Sequence, residues 1–225
     1  MFTLVHLDTP PPESLKAQVL QMVVDYLSDL SPVSLTPSNP LYPLYQYVVG
    51  FEVHRYLERM DDAQPGQPKL LLALDAEDPS QVLGFALYLT YLDDPQASAL
   101  LYLAVLTRRR RRGIGGALVA EMIARYPHAQ VACVASKAPI FEALGFHALH
   151  AHGPQVVLNT RRAASQGTLA VQDLQPIFQS TEVRQIYSYQ LKRHGRHAMG
   201  DAERQRDRLL DQLARQAQAY VEERG

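Results

Sequence analysis

Between Leu100 and Tyr126 the chain reads LLYLAVLTRRRRRGIGGALVAEMIARY: an apolar run, five arginines, three closely spaced glycines and an amphipathic stretch, with nothing between them. The apolar part reads as a strand. Gly113-Ile114-Gly115-Gly116 then opens a helix, expected over Gly116 to Tyr126. A helix start exposes unpaired N–H groups and about half a positive charge, so an anion placed there is stabilised from several directions. Glycines let the backbone close on it without a Cβ in the way, and arginines add charge and paired donors. A run of arginines alone is more often a solvated patch or a nucleic-acid contact. Joined to a glycine turn between strand and helix, this one reads as an anion cradle.

Three phosphate-binding loops share this outline. A Walker loop ends in Gly-Lys-Ser/Thr, which is absent here. A dinucleotide fingerprint needs a third glycine where Leu118 stands, and a parallel crossover rather than preceding hairpins. What remains is a Gln/Arg-x-x-Gly-x-Gly/Ala pattern, met by Arg110-Arg111-Arg112-Gly113-Ile114-Gly115.

Around this segment the chain alternates between element and breaker. Phe2 to Leu7 predicts a first strand, stopped by Pro10 to Pro12. Ser14 is placed to cap a helix with Leu15, Val19, Met22, Val23, Tyr26 and Leu27 on one face. Ser31 to Pro43 predicts a loop, Leu44 to Met60 a helix, and Asp61 to Pro68 a break. Apolar runs at Lys69 to Leu74, Gln81 to Leu92 and Ala99 to Leu106 are joined by turn residues, which predicts an antiparallel meander. After the glycine turn come a strand at Gln130 to Ala135, a helix at Ala138 to Leu144 ended by Gly145, and a hairpin from Phe146 to Leu158 around Gly153-Pro154. The pattern is an α+β chain with one mixed sheet.

Beyond Thr160 the composition changes. Residues 161–225 hold 11 Lys+Arg and 8 Asp+Glu, against 11 and 15 in residues 1–160. Two helices are expected there, Val171 to Arg193 and Asp201 to Glu223, separated by HGRHAMG. In the second, Leu210, Leu213, Ala217 and Tyr220 form a narrow seam suited to covering the sheet, pairing two copies as a homodimer, or holding a partner.

The bulk numbers exclude several classes. A net charge of -1 argues against a chain built as a whole for nucleic acid. The longest apolar run has eight residues, against roughly 20 needed to span a bilayer, so no membrane partner is expected. The opening MFTLVHLDTPPPES lacks the pattern of a secretory signal, and the single Cys133 has no partner for a disulfide within the chain. The expectation is a cytoplasmic protein.

With these motifs in place, the sequence resembles the GNAT superfamily of N-acetyltransferases. The resemblance runs from about Phe2 to Asn159, and its specific part is Leu101 to Phe146. SKAPIFEALGF, Ser136 to Phe146, is similar to the family's second signature, a helix ending in Leu-Gly-Phe. The resemblance implies α/β/α layers around a mixed, mostly antiparallel sheet of about seven strands. It makes residues 1–160 the acetyltransferase domain and 161–225 a C-terminal helical extension. It implies acetyl-CoA as cosubstrate and no metal, with Val105, Leu106 and Thr107 along the pantetheine. Arg110, Arg111, Arg112, Gly113, Ile114, Gly115, Gly116 and Ala117 would wrap the pyrophosphate, and Phe141 would stand beside the cosubstrate. The strands at Leu100 to Leu106 and Gln130 to Ala135 would splay to form a slot, the acceptor amine arriving from the opposite side.

The chain departs from that pattern at two points. Phe141 replaces a tyrosine that protonates the leaving thiolate, and Ala135 replaces a frequent asparagine. A CoA thiol is acidic enough to leave partly as an anion, so the reaction survives the loss of an acid worth about a hundred- to ten-thousand-fold. Tyr102 and Ser136 are the candidate catalytic substitutes. The run Leu100 to Leu106 holds no carboxylate, which leaves Glu52 or a water chain as general base. Cys133, mid-strand, reads as a small core residue. His147, His150 and His152 lack a matching set of ligands and predict no metal site. The leading function is transfer of an acetyl group to a small-molecule or protein amine. A CoA-binding sensor with lost catalysis and a nucleic-acid module using Arg108 to Arg112 are the competing readings.

Overall fold

The computed structural model describes residues 1–60 and 66–224. The apolar runs separated by turn residues become β1 (Phe2–Leu7), β2 (Pro68–Asp75), β3 (Val82–Thr90) and β4 (Ala97–Val105), each antiparallel to the one before. β5 (His128–Cys133) then pairs parallel to β4. The hairpin of β6 (His147–His152) and β7 (Gln155–Asn159) adds antiparallel through β7. The result is one mixed sheet of seven strands in the order β1-β2-β3-β4-β5-β7-β6. Both the expected meander and the expected hairpin are present. Of the expected break at Asp61 to Pro68, residues 61–65 lie outside the described residues.

Helices cover both faces: α1 (Glu13–Asp25) and α3 (Tyr42–Glu58) on one, α4 (Ile114–Arg125) on the other. On β2 and β3, Leu70, Leu72, Phe85 and Leu87 enter the cluster containing Val19, Val23, Val53 and Tyr56. Their neighbours Leu71, Ala73, Ala86 and Tyr88 enter the cluster containing Leu118, Val119 and Met122. A strand packed on both faces has no polar side to show, which is why these runs lack alternation.

Several boundaries differ from expectation. Pro12, not Ser14, is the residue before the first helix; its carbonyl takes the Leu15 and Lys16 N–H groups at 2.9 and 3.0 Å. α3 starts at Tyr42, with Pro43 in its first turn, where a missing N–H costs nothing. A single turn, α2 (Leu27–Leu30), follows α1, and the second-signature helix α5 spans Ala138–Glu142.

The C-terminal part holds the two expected helical segments with different bounds: after a short α6 (Gln175–Phe178), α7 (Thr181–Glu222) consists of two arms that meet at a kink at Gly195, at φ 82° and ψ 162°, inside the expected HGRHAMG break. That conformation suits glycine, and the residues around it continue the helix. The bend is sharp: Tyr187 Oη donates to Glu203 Oε1 at 2.9 Å, although 16 residues of straight helix would separate them by about 24 Å. Past the bend, Met199, Ala202 and Leu210 join one core cluster, and Ala217, Tyr220 and Val221 the other. The Leu210 to Tyr220 seam is thus turned onto this chain's own core. Among the described residues no helix is long and apolar enough to cross a membrane.

Candidate active site

The site begins where two strands part. β4 and β5 are paired only from Ala97 and His128 to Leu100 and Val131. Beyond that β4 stays with β3 as far as Val105, while β5 stays with β7 as far as Cys133. A bulge sharpens the divergence: Leu87 faces Tyr102 and Tyr88 faces Leu100, leaving Leu101 unmatched. A cavity of about 490 Å³ fills the opening, walled by Leu100, Leu101, Leu103, Ala104 and Val105 of β4, by Val131 to Val134, and by Ile140 and Phe141 of α5.

At one end the apolar walls give way to the start of α4. Gly113 precedes the helix at φ 80°, and Arg111 also takes a positive φ of 62°. The first helical bond is donated by Ala117 to the Gly113 carbonyl at 2.9 Å, so the first-turn amides of Ile114, Gly115 and Gly116 have no acceptor within the helix. A Cβ on Gly115 would meet Val105 Cγ2 at 3.7 Å, and one on Gly116 would meet Leu144 Cδ2 at 3.6 Å, both ordinary contacts. Internal packing therefore does not demand glycine at these positions, which line the cavity. Arg109, Arg110, Arg111 and Lys137 line the same end. That donor set suits a diphosphate.

The arginine run is divided in its duties. Arg109 binds Asp75 Oδ2 at 2.7 Å. Arg110 donates through Nε to the Val105 carbonyl at 3.1 Å and through Nη2 to Asp29 Oδ2 at 2.7 Å, with its guanidinium 4.8 Å from the Tyr26 ring centre. The Tyr26 hydroxyl accepts the Thr107 N–H at 3.0 Å, and the Lys137 ammonium donates to the Asp29 carbonyl. The junction of α1 and α2 is thereby clasped over the cavity; of the backbone groups assigned to pantetheine by resemblance, Tyr26 of this junction occupies that of Thr107 and Arg110 that of Val105. Burial lowers the Lys137 pKa, with Asp29 opposing the shift.

Of the residues singled out in the sequence, Val105, Arg110, Arg111, Gly113, Ile114, Gly115, Gly116 and Phe141 line the cavity. Leu106, Thr107, Arg112 and Ala117 flank it without lining it. Ser136 is exposed and outside it. Tyr102 also lies outside; its hydroxyl donates to Glu52 Oε2 at 2.6 Å. Phe141 packs edge-on against Phe146, ring centres 5.8 Å apart. Cys133 lines the β5 wall, and burial pushes its thiol up to about 11, which keeps it protonated at neutral pH. Sequence reasoning missed Tyr26, Asp29 and Lys137. Only Lys137 had a local signal, as a cation at the start of the second signature.

The model of the acetyltransferase (GNAT) family matches residues 39–150, from the loop before α3 into β6. The chain belongs to that family. The parted strands and the glycine start of α4 lie inside the GNAT match, while β1, α1, α2 and β7 lie outside it. Solved structures share the fold. A PaiA N-acetyltransferase from Thermoplasma acidophilum, in complex with coenzyme A, is 10% identical over 71% of this chain and 99% of its own, with a TM-score of 0.55. A structure from Corynebacterium glutamicum, described as histone acetyltransferase HPA2 and related acetyltransferase, is 16% identical over 73% and 98%, with a TM-score of 0.53. A comparison with curated proteins finds no match.

Proposed function

We propose that this GNAT-family chain is an N-acetyltransferase that moves the acetyl group of acetyl-CoA to a primary amine of a small molecule or protein by direct attack on the thioester. One observation carries the reading: a single cavity runs from an apolar gap between β4 and β5 to a cationic, glycine-lined helix start. Those are the two halves of acetyl-CoA, a narrow arm and a diphosphate. Residues 1–160 form the acetyltransferase unit in this reading, and 161–225 a helical extension that completes its core.

In this assignment the β4 edge at Val105, Leu106 and Thr107 lies along the pantetheine, and the amides from Arg110 to Ala117 receive the diphosphate. Phe141 supplies an apolar wall and no proton, so sulfur leaves as the thiolate. The test is calorimetric titration with acetyl-CoA followed by release of free thiol in the presence of primary amines. Binding with amine-dependent release supports the proposal, and no measurable binding refutes it. The phenyl ring of Phe141 in the cavity wall favours a second reading, a CoA-binding sensor without catalysis. That reading gains if binding is tight and no amine releases thiol.

A further inference from the structure

On the face of β4 turned away from α4 lies a buried polar cluster that the cavity does not use. Glu52 of α3 is 8% exposed, and its Oε2 accepts the 2.6 Å hydrogen bond from Tyr102. One turn along α3, the Tyr56 hydroxyl accepts the backbone N–H of Gln172 at 3.0 Å. Gln172 is 7% exposed, and neither of its side-chain polar atoms has a hydrogen-bond partner among the described residues. Taking a carboxylate out of water is costly, and a leucine at position 52 would pack without that cost. A buried acid and an unpaired amide in one cluster point to chemistry more than to packing.

The cluster sits next to the cavity. Leu101 and Ala104, which bracket Tyr102 along β4, line the cavity. Ala104 and Tyr102 belong to the same core cluster on one face of the strand, which sets them about 7 Å apart along it. The Tyr102 ring therefore stands at the bulge, beside the wall along which the thioester would lie, on the side opposite α4.

Resting on the acetyl-transfer reading above, we propose that Tyr102 and Glu52 withdraw the proton of the acceptor amine, Tyr102 as the catalytic group and Glu52 as the positioning residue that receives its proton. A neutral amine nitrogen forms the C–N bond at the thioester carbonyl. Its surplus proton passes to the Tyr102 oxygen as the Tyr102 proton passes to Glu52. The C–S bond then breaks, and its electron pair leaves on sulfur as CoA thiolate. The titratable groups facing Glu52 are Tyr102 from β4 and Tyr56 from its own helix. Burial holds Glu52 above the ordinary carboxylate range, with the Tyr102 hydrogen bond offsetting part of the rise. This brings the acid closer to the proton affinity of an amine. Burial and the Glu52 charge hold Tyr102 well above the ordinary phenol range, which suits a conduit that stays protonated at rest.

Glu52→Gln keeps an oxygen for Tyr102 to bond but cannot take up a proton. With acetyl-CoA and three probes, spermidine, a lysine-bearing peptide and an aminoglycoside, kcat/KM for the amine should fall by about a hundredfold or more in this variant. Acetyl-CoA affinity by calorimetry should not change. The wild-type rate should fall as pH drops through the raised Glu52 pKa, because the protonated carboxyl accepts nothing, and Glu52→Gln should lack this acid limb. In Tyr102→Phe the residual limb should move to higher pH, since the lost hydrogen bond had favoured the carboxylate. Carbon-13 titration of the Glu52 carboxyl in the wild type, which needs no activity, should give the same raised midpoint. Glu52→Gln keeping both its rate and its acid limb, or Glu52 titrating in the ordinary range, overturns the proton route and leaves acetyl transfer standing. Wild-type protein that binds acetyl-CoA and acetylates none of the probes overturns both.

Discussion

Gly115 shows how a residue's identity follows from what it leaves room for. The protein itself would accept a side chain there, since the nearest atom to a Cβ is 3.7 Å away, so the vacancy serves whatever fills the cavity. Gly115→Glu should place a carboxylate among amides and cations arranged for an anion. Acetyl-CoA affinity measured by calorimetry should drop by about a hundredfold or more, two powers of ten being about 2.8 kcal/mol, while the melting temperature stays near that of the wild type. Unchanged affinity would show that the diphosphate lies elsewhere. At this scale the glycines were legible, because a turn between strand and helix leaves a local mark in the sequence. The partners of Tyr102 and Arg110 were not. Glu52 stands 50 positions before Tyr102 and Asp29 stands 81 before Arg110, and tertiary packing alone brings such pairs together. Ser136 shows the converse: its place beside the second signature suggested a role, yet its side chain lies outside the cavity.

Tyr26 and Asp29 of the α1–α2 junction hold Thr107 and Arg110. On the proposed assignment, acetyl-CoA binding exchanges these internal bonds for ligand bonds. The Asp29–Arg110 pair is 53% and 40% exposed, and pairs of that kind contribute about 0.2–1 kcal/mol. Asp29→Ala should therefore tighten acetyl-CoA binding by up to about fivefold, 1.4 kcal/mol being tenfold, as read by calorimetry. Weaker binding would mean that Asp29 helps to hold the ligand. Element types were largely legible, since β2, β3 and β4 are apolar runs separated by turn residues. The two arms of α7 were legible as well, but the shortness of the break between them was not, because HGRHAMG, polar and with two glycines, looks like a longer gap. Only Gly195 leaves helical geometry, and the bend returns Glu203 to Tyr187.

Taken whole, the molecule is a twisted sheet covered on both faces and opened at one seam. The fold class was legible because the order of elements and the two signatures both point to it. The role of residues 161–225 was not, since a narrow apolar seam fits a dimer, a partner or the chain's own core equally well. It packs on the core, where Ala217 is fully buried and the Tyr220 hydroxyl reaches Glu142 of α5 at 2.8 Å. That contact ties α7 to the helix carrying Phe141 and steadies one wall of the slot. The most direct measurement is a crystal structure of the protein grown with acetyl-CoA. The diphosphate should rest on the amides between Arg110 and Ala117, with the pantetheine arm between β4 and β5 and the thioester beside the bulge at Leu101. Acetyl-CoA bound at any other surface, with the β4–β5 gap empty, would contradict the assignment.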